Sequence, residues 1–447
     1  MSTLRNNSAT NDAPDEGHPS FREALVYWLQ LGCISFGGPA GQISIMHRGL
    51  VEQRRWMSEQ HFMQATQFTM VLPGPEAQQL ATYIGWRLHG VVGGLAAGGL
   101  FVLPSAILLY VLSILFVLGQ EAAWMTAVVR GLNAAVIALI LSAVFRIGGR
   151  TLATPGLWSL AAAAFGLIFF LDVSFIAIVI GAACIGFLGS VFLPRQFPVS
   201  SSHFIQSTGS ASSPSVRLRA LDPVSLRLSC VTLVACGFLW LLPTVMAGVS
   251  LGWDSTLARQ GIFFSKAAIV TFGGAYAVLP YVAQQAVDTY GWLSSPQMMS
   301  GLALAETTPG PLIMVLQFVG FVGAWQHPDG FNPWIAASLG AALTTWVTFI
   351  PSFMFIFVGG PYVEKIEQWP RLASLLRGIT AAVVGVMLNL GIRLALHSTQ
   401  ITEGKTDWIV VAMSIVCLTL LTRTKVAAPW LIVASGMVGW FAHWLGA

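Results

Sequence analysis

Two kinds of residue in this chain have the type and spacing to hold an anion. The first kind breaks helices. Phe36-Gly37-Gly38-Pro39 interrupts one apolar segment, and Pro73-Gly74-Pro75 interrupts the next. Gly37 and Gly38 carry no side chain, so their N–H groups allow a ligand close. Proline suits a first helical turn, where its missing N–H costs nothing. A half-helix starting at such a break points unsatisfied N–H groups and a positive dipole end at whatever lies ahead. Ser35 adds a hydroxyl beside the first break. The same set returns later as Thr271, Gly273 and Gly274, then Thr307, Thr308, Pro309, Gly310 and Pro311.

The second kind is charge inside apolar sequence, which is expensive and usually functional. Arg130 and Arg377 each stand a turn or two into a long apolar segment. The planar guanidinium fork suits a tetrahedral oxyanion; the same arginines would also serve by snorkelling to an interface. Lys266, five residues before Thr271, is a lone cation and a substrate or counter-ion candidate, or an outer-interface lysine. Glu76 follows the first Pro-Gly-Pro, and Glu306 precedes the second by three residues. A carboxylate beside an anion site repels its ligand unless protonated, so Glu76 and Glu306 are candidates for a coupled proton. The plainer alternative is a carboxylate bound to nearby backbone N–H groups. Gln78 and Gln79 are neutral hydrogen-bonding groups at the same depth.

The elements that position these residues are duplicated. Pro-Gly-Pro recurs 236 positions on, from 73 to 309; Ser35-Phe36-Gly37-Gly38 and Thr271-Phe272-Gly273-Gly274 keep that offset, as do Trp56-Met57-Ser58 and Trp292-Leu293-Ser294. Beyond them the offset is 247, carried by Pro104-Ser105 with Pro351-Ser352 and by Arg130-Gly131 with Arg377-Gly378. The eleven added residues fall near Trp325–Gly330. Glu76 and Glu306 are not counterparts.

Composition decides the setting. Of 447 residues, 55% are hydrophobic and 9% charged, against roughly 25% charged in a soluble domain. The run from Gly90 to Leu118 exceeds the roughly 20 residues that cross a bilayer. The fold class expected is an all-α polytopic membrane protein. Residues 1–20 are polar, lack a signal-peptide core and read as a disordered tail. Residues 21–193 hold the first repeat, 194–227 a basic, Ser-rich cytoplasmic linker, 228–249 an extra transmembrane helix, and 257–445 the second repeat. The net charge of +4 leaves no nucleic-acid footprint. The five cysteines lack metal-ligand spacing and read as buried thiols, and the histidines likewise show no metal spacing. No cofactor is expected. Gly93-Gly94 and Gly98-Gly99 suit close helix contacts within one chain or in a homodimer. Trp56 and Trp292 are expected in the aromatic belt at the membrane surface.

An odd number of crossings separates the two repeats, which makes them inverted. The loop 48–59 carries three arginines, whereas its counterpart 284–295 carries Asp288 and no Lys or Arg, so the positive-inside rule places them on opposite sides. With a cytoplasmic N-terminus, that rule favours interrupted segments that turn back at their breaks as re-entrant hairpins. The count is then about nine crossings rather than thirteen if each segment crosses, at about 20 residues per crossing. Paired breaks at corresponding places in inverted halves point to a transporter site, although Gly and Pro also serve helix packing.

These motifs resemble the chromate transporter family, in its long two-domain form. The resemblance rests on Phe-Gly-Gly at 36–38 and 272–274, Pro-Gly-Pro at 73–75 and 309–311, the Trp-Met/Leu-Ser between them, Gln42–Arg48, Pro73–Leu80 and Glu306–Leu312. It covers the chain from about Phe21 onward. It implies a multi-pass protein of the bacterial inner membrane that exports chromate and confers resistance, with sulfate as the isosteric competitor and the lipid bilayer as its surroundings. The residues alone reach an inverted-repeat secondary transporter for a small anion. A sulfate or other oxyanion uptake or exchange carrier, and an anion channel with two opposed re-entrant loops, stay open. The chain shows no Walker motif for ATP and no constellation for nucleophilic or metal chemistry, so it is not expected to be an enzyme.

Overall fold

Four helical hairpins and a set of long helices make up most of the described residues. The computed structural model describes residues 19–36, 38–120, 122–197, 226–363, 370–401, 405–424 and 426–444. The tail as far as residue 18, Gly37 and linker residues 198–225 lie outside the described residues. What is described is an all-α polytopic membrane protein of sixteen helices, six of them long and apolar enough to cross a bilayer.

The first half opens with α1 (Phe21–Ile34), α2 (Gly38–His47), α3 (Glu59–Val71) and α4 (Glu76–Gly119). The 14 residues of α1 and 10 of α2 reach about 21 and 15 Å at 1.5 Å per residue, short of the roughly 30 Å hydrocarbon core. Each pair folds back at its break. Tyr27 of α1 lies against Gly49, beyond the end of α2, where a methyl group would stand 2.6 Å from the phenol oxygen. Phe68 of α3 meets Tyr83 of α4 with ring centroids 5.7 Å apart. Helix α4 then reverses at His89–Gly90, where Gly90 takes φ 67°. Its two arms run side by side, Gly85 against Gly93 and Thr82 against Gly98. Three of the four glycines expected to mediate helix contacts therefore serve inside one chain: Gly94 and Gly98 also meet Phe357 and Phe353, while Gly99 has nothing within 4 Å.

The second half repeats this local structure. Helices α9 (Thr256–Val270) and α10 (Ala275–Gln284) fold back so that Phe263 and Tyr281 lie 5.3 Å apart. Helices α11 (Ser295–Thr307) and α12 (Val315–Gln326) do the same, with Gly301 against the Phe318 ring. The details recur at the offset of 236. Trp56 N–H donates to Leu50 O and Trp292 N–H to Ala286 O, each at 2.8 Å. Ser58 caps α3 and Ser294 caps α11 through their hydroxyls. The loop 327–332 takes up part of the eleven-residue insertion, where the first half has only His89–Gly90.

Long helices surround the hairpins: α5 (Ala123–Thr151), α6 (Pro155–Leu171), α7 (Phe175–Phe192), α8 (Leu226–Leu251), α13 (Pro333–Gly359), α14 (Pro370–Thr399), α15 (Trp408–Arg423) and α16 (Ala428–Trp444). Helix α14 packs on α5, α6 and α7, meeting α7 where Gly378 crosses Gly186. The extra helix α8 docks on α13 through a reciprocal pair: Trp240 Nε1 donates to Val347 O at 3.0 Å and Trp346 Nε1 to Leu239 O at 2.8 Å. Its other face is bare of protein, with Val234, Phe238, Met246 and Val249 each at least 60% exposed. An apolar surface of that extent belongs against lipid.

Two expectations are corrected. Trp56 and Trp292 are buried rather than placed in a surface belt. Trp56 packs edge-on to Tyr27, and Trp292 stacks on Tyr290 with centroids 4.3 Å apart, because each loop folds back to close the base of its hairpin. Among the cysteines, Cys417 is buried, but Cys33, Cys184 and Cys230 are exposed on outward helix faces. An apolar neighbourhood in sequence does not tell the protein-facing side of a membrane helix from the lipid-facing side.

Candidate functional site

The hairpins of the two halves cross and tie together through backbone. Gly74 N–H donates to Thr271 O at 2.7 Å, and Gly310 N–H donates to Ser35 O at 2.7 Å. Both ends of these bonds are related by the same offset of 236, so each Pro-Gly-Pro of one half caps the Ser- or Thr-terminated helix of the other. Amide side chains extend the knot: Gln42 Nε2 donates to Gly310 O at 2.6 Å and Gln79 Nε2 to Pro73 O at 2.7 Å. Behind the glycines stand two counterparts related by 247. Ser352 Oγ lies 2.6 Å from where a methyl on Gly74 would sit, and Ser105 Cβ lies 2.5 Å from the same point on Gly310. Only glycine fits there, with φ 125° at Gly74 and 102° at Gly310.

This crossing gathers the starts of three half-helices. Gly38 and Pro39 open α2, Glu76 opens α4 after its cap Pro75, and Gly274 caps α10. A methyl on Gly38 would lie 3.7 Å from the Tyr276 ring, and one on Gly274 would lie 3.6 Å from Pro39 and 3.7 Å from Glu76 Oε1. Pro311 precedes the short turn Leu312–Met314 that leads into α12. Each start leaves N–H groups without intrahelical partners and presents a positive dipole end.

The hydroxyls read from sequence face elsewhere. Ser35 and Thr271 donate to Leu31 O and Ala267 O, each at 2.6 Å, closing the last turns of α1 and α9. Thr307 and Thr308 likewise donate to Leu304 O and Ala305 O. Their protons are spent on their own helices, and the cross-chain bonds use main-chain carbonyls instead.

The charged candidates separate. Glu76 and Glu306 are both partly buried at the centre. Glu306 Oε1 accepts the Tyr276 hydroxyl at 2.6 Å. The Arg146 guanidinium carbon lies 5.9 Å from the Tyr276 ring centroid, and its charge acts on both Tyr276 and Glu306. Arg377 stands one turn before Thr380, whose Oγ1 lies 3.4 Å from a methyl position on Gly273; residues three apart share a helix face. Its counterpart Arg130 is bound to Asp407, which also caps α15 by accepting from Ile409 and Val410 N–H. Lys266 is exposed on α9, whereas its neighbours Ser265 and Ala267 are buried.

Tyr276 and Arg146 are central residues that the motifs did not announce. Tyr276 has Ala40 as its counterpart, so it is absent from the repeat pattern. Arg146 did carry a signal: Arg393 stands 247 positions on. Arg393 is engaged by Asp172 Oδ1 at 2.7 Å and by Ile168 O at 3.3 Å, while Arg146 forms no ion pair within 4.0 Å among the described residues. No group of three or more His, Cys, Asp or Glu able to hold a metal occurs among the described residues.

A family profile described as Chromate transporter matches residues 22–187 and 259–440. The chain belongs to the chromate transporter family. Both matched stretches of the transporter contain a Gly-Gly and a Pro-Gly-Pro break. It is 32% identical over 446 residues to the chromate transport protein of Pseudomonas aeruginosa, covering 97% of this chain and 96% of that one. It is 28% identical over 373 residues to the probable chromate transport protein of Synechococcus elongatus, covering 83% and 84%. With the chromate transport protein of Cupriavidus metallidurans it shares 27% over 426 residues, covering 95% and 94%. No solved structure matches it. The transporter is a multi-pass membrane protein.

Proposed function

We propose that this chain exports chromate from the cytoplasm across the bacterial inner membrane and so confers chromate resistance, with sulfate competing for the same site. The observation that carries the reading is the paired crossing, Gly74 to Thr271 and Gly310 to Ser35. It brings the starts of α2, α4 and α10 to one centre, where backbone N–H groups and dipole ends favour a small anion. Broken backbone at membrane depth is tolerated where protein buries it or it lines a cavity, and the crossing satisfies part of it from the opposite repeat.

In this reading 21–193 and 257–445 are inverted repeats. The hairpins of α1 to α4 enter from the cytoplasm, the side of the N-terminus, and those of α9 to α12 from the opposite face. One set moves against the other to expose the centre alternately. The membrane potential supplies about 2.3 kcal/mol per charge per 100 mV, so a leaving dianion gains roughly twice that. A proton carried on Glu76 or Glu306 would link the cycle to the proton gradient as well.

The test is flux of radiolabelled chromate into inverted membrane vesicles, with sulfate as competitor. Accumulation that follows an imposed potential, falls with excess sulfate and is lost in Arg377→Ala is expected. Sulfate uptake with no chromate preference, or chromate movement only in the opposite direction, would overturn the assignment.

A further inference from the structure

We propose that ionised Glu306 is an internal rival of the transported anion: it takes the Tyr276 hydroxyl and lies in the field of Arg146, the two donors an oxyanion would use at the start of α10, so each anion bound brings one proton onto Glu306. The inference rests on the anion-carrier reading and names the group that regulates that site.

The geometry supplies the competition. Tyr276 is the second residue of α10 and its ring adjoins Gly38, so its hydroxyl stands between two half-helix starts. That hydroxyl has one proton, and Glu306 Oε1 accepts it at 2.6 Å. Arg146 reaches the same place from α5 with its charge uncommitted to any close carboxylate among the described residues. A dianion arriving there needs the tyrosine proton and the guanidinium, and it meets a negative carboxylate in a poorly screened setting. The other charges around the centre among the described residues are Glu76, from α4 across Gly274, and Arg377, from α14 a turn before Thr380. Glu76 does not hold Tyr276, so the rivalry belongs to Glu306.

One proton from water on the open side forms an O–H bond on the Glu306 carboxylate, which loses its negative charge. Neutral Glu306 then donates to the Tyr276 oxygen, and the Tyr276 proton turns to the anion. Arg146, in no close ion pair among the described residues, faces the anion. Release reverses each move and discharges the proton on the side that receives the anion, so one net negative charge crosses with each dianion.

The experiment is equilibrium binding of radiolabelled chromate to the purified full-length transporter across the neutral pH range, alongside Glu306→Gln and Glu76→Gln. Above the carboxyl's titration, wild-type affinity is expected to fall about tenfold per pH unit, the slope of one linked proton. Glu306→Gln is expected to flatten that slope and Glu76→Gln to keep it. The titration of chromate itself is common to all three proteins and cancels in the comparison. As a check that needs no variant, chromate adjusted to the same pH and added to lightly buffered wild-type protein, in the pH range where affinity falls, should draw about one proton per anion bound. A slope that survives Glu306→Gln, or binding without proton uptake, overturns the proposal. Wild type that binds no chromate at any pH would remove the carrier reading instead.

Discussion

Gly74 and Thr271 are 197 residues apart in sequence, yet the N–H of one donates to the carbonyl of the other at 2.7 Å. Their counterparts Gly310 and Ser35 make the same bond at the same length. A backbone bond tolerates any side chain, so the identity of these residues comes from the space around them. Thr271 and Ser35 close their own last helical turns, and the glycines fit where a methyl cannot.

The two glycines should differ in how they respond to alanine. At Gly310 the added methyl meets Ser105 Cβ at 2.5 Å, a fixed atom; at Gly74 it meets Ser352 Oγ and the Gln79 amide, both ends of rotatable side chains. Both positions also have positive φ, which costs about 1–3 kcal/mol for a non-glycine residue. Gly310→Ala should therefore lower the thermal unfolding midpoint of the detergent-purified protein more than Gly74→Ala. Ser105→Gly combined with Gly310→Ala should recover part of the difference.

Gln42→Leu removes the donor to Gly310 O and leaves a buried carbonyl without its partner. The expected cost is about 1–3 kcal/mol, read as a drop in the unfolding midpoint. Gln79→Leu should cost a similar amount through Pro73 O. An unchanged midpoint in both would show that these amides do not hold the crossing together.

The counterparts Arg130 and Arg377 should separate in function. Arg130 pairs with Asp407 at the start of α15, away from the crossing, and its side chain is 41% exposed. Asp407 is only 6% exposed and keeps its bonds from Ile409 and Val410 N–H, so Arg130→Ala is expected to cost about 1–3 kcal/mol of stability, the range for a buried acceptor that loses a partner, and to leave chromate flux near wild type. Arg377→Ala, one turn from the residue that faces Gly273, is expected to abolish flux. Equal loss of flux in both would place Arg130 in the pathway.

Inverted repeats predict opposite accessibility for corresponding loops. In a cysteine-free background, Gln53→Cys and Thr289→Cys lie at the two exposed hairpin bases. A membrane-impermeant thiol reagent should label position 289 in intact cells and position 53 only in inverted vesicles. Labelling of both from one side would mean parallel repeats.

Much of this architecture was written along the chain. The breaks at Gly38, Gly74, Gly274 and Gly310, the constant offsets and the eleven-residue insertion are local signals, because glycine and proline act on the backbone within a turn of themselves. So are the apolar lengths that mark a bilayer-spanning chain and the short segments that turn back. Tertiary structure alone decided the partnerships. The Gly74–Thr271 bond joins segments far apart in sequence, Tyr276 reaches Glu306 across the tips of two hairpins, and Arg146 comes to them from the far end of α5. The same packing separated Arg130 from Arg377, counterparts in sequence, by giving one an aspartate and the other a place beside the break. Periodicity sees spacing along the chain, whereas a hydrogen-bond partner is chosen by which helix ends the folded packing brings within 3 Å, the ordinary reach of such a bond.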